Sequence, residues 1–313
     1  MKPAIAMKGR VWGLACAIVF ASTPPTTQAQ EHVADAPNLT FTFTKAHAPG
    51  ALITVPSTIN NNGVEVGTYE DKNGAFHGYI LKGKHLTNLD DPNGTNTSPQ
   101  SIPFNSENKV VGYYLNSSGT SVGFLYDATT KQYTDILGPE GATYSSAEGI
   151  NDQGWIDGFY TDSGGVTHGF LLQDNKYKTL DPPGAVTTYA YGINNAGDVA
   201  LTWVRSTFVF EGSVYIYKSK KYETINVPGA GHAGSEASFI NNQGDITFWW
   251  FDSSGLVHGA LCTMCESKGR KYYKFDYPKA VQTVANGIND RKAFAGSYAG
   301  KNGNLLGYTA TFK

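Results

Sequence analysis

The sequence predicts an all-β chain folded as a six-bladed β-propeller of four-stranded blades, the last blade being closed by the N-terminal strand. Three observations predict it. An Ile-Asn tag followed by a glycine turn recurs with a period in the mid-forties. Between tags lie short β-branched and aromatic runs bounded by Gly, Asn, Asp or Pro, and no stretch beyond the N-terminal segment has a 3.6-residue apolar period. Finally, the chain begins with a strand that has no partners of its own and stops one strand short of a full blade.

The tag reads Ile59-Asn60-Asn61-Asn62-Gly63, Ile150-Asn151-Asp152-Gln153-Gly154, Ile193-Asn194-Asn195-Ala196-Gly197 and Ile240-Asn241-Asn242-Gln243-Gly244. Weaker copies start at Phe104-Asn105 and Ile288-Asn289. From Asn60 the successive spacings are 45, 46, 43, 47 and 48, the length of a four-stranded blade. Blade 3 shows the unit plainly. Strand A (143–151) turns through Asp152-Gln153-Gly154 into strand B (155–160), a glycine turn leads to strand C (168–172), and a short turn to strand D (176–180). Asp181-Pro182-Pro183-Gly184-Ala185 then crosses to the next blade. After Asn289 only strands B and C remain, whereas Leu39 to Thr44 reads as an orphan strand D. Docking the orphan into the gap completes six blades and removes two open sheet edges.

Gly149-Ile150-Asn151, Gly158-Phe159-Tyr160, His168-Gly169-Phe170-Leu171 and Leu180-Asp181-Pro182-Pro183-Gly184-Ala185 carry a likeness to a known group. Over residues 39–313 the chain resembles the bacterial extracellular HAF-repeat proteins. The resemblance implies a propeller and no particular biochemical activity. Blade 2 departs from the pattern at Ser101-Ile102-Pro103-Phe104-Asn105, and blade 4 lacks the His-Gly-Phe segment.

Of the 313 residues, 1–29 read as a secretory signal: Lys2, Lys8 and Arg10, an apolar run from Val11 to Ala21, and Thr27-Gln28-Ala29 as a cleavage site. Residues 30–313 form the propeller, expected to be a secreted or periplasmic monomer. Cleavage removes three cations and no acid, leaving 21 Lys and Arg against 26 Asp and Glu, a formal charge of −5. That balance argues against nucleic acid and anionic membranes as partners. Cys262 and Cys265 are the only cysteines left, and in an oxidising compartment they predict a disulfide across a hairpin. No metal cluster or cofactor motif stands out in the sequence.

Repetition also sorts the candidate residues. His77, His168 and His258 share one blade position and predict a structural bond to a neighbouring turn. Asp90, Asp181 and Asp276 predict Asx-type acceptance of backbone N–H groups. A strand B glycine (Gly67, Gly112, Gly158, Gly296) is expected to let neighbouring sheets approach. The aromatic two residues later (Tyr69, Tyr114, Tyr160, Trp203, Trp250, Tyr298) is expected to fill the core.

Function is sought where the repeat breaks, in blades 4 and 5. There Leu201 and Phe248 replace the glycine, the turn 204–212 is irregular, and the crossover 228–236 is long. Arg205, His232 and Glu236 are the candidate catalytic trio, an Arg to pair a carboxylate with His or Glu to move a proton. Tyr189, Trp203, Glu211 and Trp249 are the candidate ligand-binding side chains. Strand A residues Ser57, Glu148, Tyr191, Ser238 and Asn286 suggest a polar pore. The leading expectation is a propeller that binds an extracellular glycan or similar polymer. The alternatives are a polysaccharide lyase or hydrolase with its site at the pore mouth, and a structural surface-matrix protein.

Overall fold

The computed structural model describes residues 39–313 apart from Thr207, Lys268 and Asn302, so the signal segment lies outside the described residues. Six four-stranded antiparallel sheets form the ring. Blade 1 comprises β2 (Ile53–Ile59), β3 (Val64–Glu70), β4 (Phe76–Lys82) and β5 (His85–Leu89). Blade 2 comprises β6 (Asn96–Ser101), β7 (Lys109–Leu115), β8 (Ser121–Asp127) and β9 (Gln132–Ile136). Blade 3 follows as β10 (Tyr144–Ile150), β11 (Ile156–Thr161), β12 (Thr167–Gln173) and β13 (Lys176–Leu180). Blade 4 is β14 (Thr187–Ile193), β15 (Val199–Val204), β16 (Phe210–Ile216) and β17 (Lys221–Thr224), and blade 5 is β18 (Ser235–Ile240), β19 (Ile246–Phe251), β20 (Val257–Thr263) and β21 (Lys271–Phe275). Blade 6 is β22 (Gln282–Ile288), β23 (Ala293–Ala299), β24 (Leu305–Phe312) and, as its fourth strand, β1 (Phe41–Lys45).

The closure expected from the phase of the repeat is present. β1 pairs antiparallel with β24, from Phe41 opposite Phe312 to Lys45 opposite Tyr308. Period two sends Phe41 and Phe43 to one face, where Phe41 packs 4.6 Å from the Phe275 ring of blade 5. The orphan strand therefore covers an edge and adds two rings to the wall between blades 5 and 6.

Packing within a blade explains the strand B glycine, and differently from the close approach of sheets expected of it. Gly67, Gly112, Gly158 and Gly296 lie opposite Tyr79, Phe124, Phe170 and Tyr308 of strand C. A Cβ on Gly158 would sit 2.1 Å from the Ser146 carbonyl oxygen and 2.9 Å from the Phe170 ring. Glycine makes room for strand A of its own blade and for that ring. Close approach between blades belongs to the strand C glycine instead: a Cβ on Gly78 would meet Pro99 of blade 2 at 2.7 Å. In blades 4 and 5 the bulk changes strands, with Leu201 facing Ser213 and Phe248 facing Ala260. All four are buried. The exchange conserves volume, which a close-packed core requires, so Leu201 and Phe248 mark repacking.

Strand A is innermost in every blade, and each strand A carries a bulge one residue after Pro56, Pro99, Ala147, Ala190, Ala237 or Ala285. The A–B and C–D turns emerge on one face of the ring. The D–A crossovers and B–C turns emerge on the other. Cys262, in β20, and Cys265, in the turn after it, form the expected disulfide.

Candidate functional site: the axial channel

At the A–B end the channel is sealed by repetition. Ile59, Ile102, Ile150, Ile193, Ile240 and Ile288 converge around a small axial space. Beyond them the tag asparagines do two jobs. Asn151 Oδ1 accepts from the Gln153 and Trp155 N–H groups of its own turn, and its Nδ2 donates 3.0 Å to Asn194 O of the next blade. Asn194, Asn241 and Asn289 each reach the following blade in the same way, the last closing onto Asn60 O. A second ring runs through the next residue of each tag, Asn61–Asn105–Asp152–Asn195–Asn242–Asp290, and returns to Asn61. Blade 2 is the exception to the sequence alignment. Asn105 takes the place of Asn61, not of Asn60, because Pro103 and Phe104 occupy the turn after Ile102; Asn61 N–H donates to Phe104 O.

The open end is built from the strand A residues that flank the bulge. Ala147, Ala190, Ala237 and Ala285 point into the cores between blades, so their neighbours on either side take the channel side. Toward blades 6, 1 and 2 these neighbours are small or neutral: Val284, Asn286, Val55, Ser57, Ser98 and Gln100. Toward blades 3 to 5 they are Ser146, Glu148, Tyr189, Tyr191, Glu236 and Ser238. Tyr189 and Tyr191 stack at 6.0 Å between ring centroids, and Phe159 packs edge-on against both. Tyr144 stacks on Phe159 from the other side.

The acids here are out of water. Burial raises Glu148 from 4.5 to about 7, against a hydrogen bond donated by Ser146 Oγ that lowers it. Glu236 is 1% exposed, and burial pushes it well above the usual carboxylate range; its Oε1 has no hydrogen-bond partner. Burial also raises Tyr189, with the Glu236 charge adding to it, which sets that hydroxyl near the carboxyl of the following blade. Asp157 is raised well above its ordinary value by burial and by Glu148, and neither of its oxygens has a partner. Its carboxyl fits only because residue 149 is glycine, where a Cβ would fall 1.9 Å from Asp157 Oδ1.

The sequence-derived candidates divide between two places. Arg205, Glu211 and Trp203 meet on blade 4: Arg205 Nε lies 2.8 Å from Glu211 Oε1 and its guanidinium 4.9 Å from the Trp203 ring. Asn226 Nδ2 also donates to Glu211. The Arg205 charge is thus matched locally. His232 is exposed in the crossover to blade 5, which is tied to the blade 4 turn by Phe210 N–H donating to Ala233 O. Glu236 lies across from Trp249, which is buried against Phe251 and Phe210. No hydrogen bond or ion pair joins Arg205, His232 and Glu236 among the described residues; Glu236 is grouped with Tyr189 instead. Asp157 was missed, although an aspartate where other blades carry Val66, Val111, Ala200 or Ala295 was a visible signal.

The repeated histidines hold turns together, as expected, but their partners differ from the expectation. His77, His168 and His258 donate from Nδ1 to Asp90, Asp181 and Asp276 at 2.7–2.9 Å, so these aspartates anchor a ring and not a backbone turn. The Asx turns are made by Asp71, Asp162 and Asp252. Each imidazole stacks on the aromatic of strand B, Tyr69, Tyr160 or Trp250.

No family model and no curated protein matches the chain. Among solved structures it is similar to the Aleuria aurantia lectin, described as a six-bladed β-propeller with a novel fucose recognition mode. Identity is 12%, the TM-score 0.54, and the match covers 83% of this chain and 93% of the lectin. It also matches a prolyl endopeptidase at 13% identity and a TM-score of 0.51, over 84% of this chain but only 42% of that one. Against TolB from Acinetobacter baumannii the identity is 11% and the TM-score 0.49, over 84% of this chain and 64% of TolB. At these identities the likeness establishes the fold alone, and the same ring serves a sugar-recognising lectin and a peptidase.

Proposed function

We propose that the protein is exported and binds a neutral extracellular glycan at the open end of its channel, against blades 3 to 5. One observation carries the proposal: Tyr189 and Tyr191 present stacked rings beside Glu148 and Glu236, carboxyls whose hold on a proton burial strengthens, Glu148 to about 7 and Glu236 well above the ordinary carboxylate range. A protonated carboxyl both donates and accepts, as a sugar hydroxyl requires, and tyrosine offers a flat apolar face with a polar edge. A cluster without fixed charge suits an uncharged polyol better than an ion. The fucose recognition described for the Aleuria aurantia lectin, a six-bladed propeller, supports this reading.

The test is a panel of neutral oligosaccharides screened by thermal shift and calorimetry. A binder is expected to raise the melting temperature, and Tyr189→Ala or Glu236→Ala to weaken binding at least tenfold. Binding that persists unchanged in both variants would remove the channel as the site. Release of reducing or unsaturated ends would instead make the protein a hydrolase or lyase, to be followed in Arg205→Ala, His232→Ala and Glu236→Gln.

A further inference from the structure

The mature chain carries more acids than cations, but the fold does not mix them evenly. On the face formed by the A–B and C–D turns, eleven basic side chains are exposed among the described residues. Lys82, Lys84, Lys131 and Lys176 stand at the turns of blades 1 to 3, Lys218, Lys220, Lys221 and Lys271 at those of blades 4 and 5, and Arg291, Lys292 and Lys313 on blade 6. Among the described residues three acids of that face are exposed, Asp152, Asp174 and Glu223, and Glu223 is paired with Arg270. The others are taken up internally. Asp127 accepts from Thr129 and Thr130 N–H, Asp198 from Tyr217 N–H, Asp245 from Met264 N–H, and Asp290 from Asn242. Only Lys82 among the eleven has an acidic partner, Glu107 at 2.9 Å.

The densest part is the C–D turn of blade 4. Lys218, Lys220 and Lys221 fall within four residues, and Arg270 of blade 5 bonds Thr224 O and Glu223, seating the Lys271 turn beside β17. Exposed apolar side chains segregate the other way. Leu52, Leu137, Val166, Val186, Phe208, Leu256 and Val281 lie on the opposite face, and Met264 is the one exposed large apolar residue on the basic face among the described residues.

We infer that this basic face docks an anionic polysaccharide, a chain of uronate or sulfate groups laid from turn to turn along blades 4 and 5. The argument is charge complementarity. Cations on short turns at the rim of a flat disc meet spaced charges on an extended chain and release its counterions. Nucleic acid would call for exposed aromatic side chains to stack bases, and the basic rim presents none among the described residues. A bilayer would gain from apolar anchors, which sit on the far side of the ring.

The experiment measures binding of the whole protein to polygalacturonate and to a sulfated polysaccharide at 50 and 200 mM salt. The expected result is binding that weakens at least tenfold over that range, and at least tenfold again in the K218E/K220E/K221E triple variant. Tyr189→Ala should leave it unchanged, which separates this surface from the channel. Because the three lysines are exposed, the triple variant is expected to keep the parent melting temperature, and a K218Q/K220Q/K221Q variant gives a second reading with an intermediate loss. No binding at 50 mM salt, or equal binding by parent and triple variant, would overturn the inference. So would equal affinity for duplex DNA or for phosphatidylglycerol vesicles.

Discussion

The two ends of the channel are made from the same strand, a few residues apart, yet they differ in kind. At the sealed end each blade contributes an isoleucine and nearly every blade the same asparagine, whose bonds run into the next blade and back into its own turn. At the open end the equivalent positions differ from blade to blade, and blades 3 and 5 leave carboxyl oxygens of Asp157 and Glu236 without partners. A polar ring whose members are all satisfied stabilises and specifies the closed circle. Buried groups left unpaired cost stability and are retained where something else is gained. The comparison separates a part kept for folding from a part kept for binding.

The largest effect should come from opening the ring on which both ends depend. Deleting residues 30–45 removes β1, leaves β24 as an open edge and strips Phe41 and Phe43 from the wall between blades 5 and 6. The expected result is loss of the cooperative calorimetric transition, or a drop in stability of at least about 4 kcal/mol, since losing one large aromatic from a core already costs about 3–5 kcal/mol.

Damage confined to the sealed end comes next. Asn289→Ala removes the 2.9 Å bond to Asn60 O and orphans the Arg291 and Ala293 N–H groups. A loss of about 2–4 kcal/mol is expected in denaturant unfolding, with ligand binding unchanged once the protein is folded.

The open end should respond in the opposite sense. Glu236→Gln, which removes a buried ionisable group without a full set of partners, is expected to stabilise the fold by about 1–2 kcal/mol at pH 8 while keeping glycan binding, because the amide donates and accepts as the neutral carboxyl does. Glu148 gives this end a pH signature. Its native pKa of about 7 lies above the ordinary 4.5, so between those values the folded state holds more protons than the unfolded chain. Its contribution is fully present below about pH 4.5 and is lost as pH rises through 7, by roughly 3 kcal/mol for this one group. Glu148→Gln should reduce that slope, as read by melting temperature against pH; Glu65 and Glu266, also raised to about 7, and the more strongly raised Asp157 and Glu236 supply the slope that remains.

The smallest effect belongs to the histidine clamps. Burial alone would lower His168, but its bonds to Asp181 and Asp162 outweigh that and raise it. The stabilisation is therefore complete below the ordinary imidazole range and fades as pH climbs through the raised value. His168→Gln should cost about 0.5 kcal/mol near pH 6 and little at pH 9, as for a partly exposed ion pair.

Much of this was legible in the residues, because local patterns carry it. The Ile-Asn tag, the turn glycines and the orphan strand at Leu39 to Thr44 specify blades, their number and their closure by short-range chemistry. Blade 2 was misaligned by one residue because Pro103 lengthens its turn, and periodicity alone does not say which asparagine absorbs the insertion. Leu201 and Phe248 looked like functional departures because each was seen without its cross-strand partner. Paired with Ser213 and Ala260, they are exchanges of volume. Tyr189 and Glu236 were singled out, yet as members of different groups, and Arg205 was expected to face a ligand where it faces Glu211.

What the sequence by itself determined is the repeating unit, the ring and the disulfide between Cys262 and Cys265, since each depends on neighbours in the chain or on a fixed period. The tertiary structure alone decided which side chains share the axis and which charges share a face. Glu148, Tyr189 and Glu236 come from three blades, and the lysines of the basic rim from all around the disc. Their proximity depends on closing the circle, and with it on the burial that raises the channel acids and leaves the rim lysines in water.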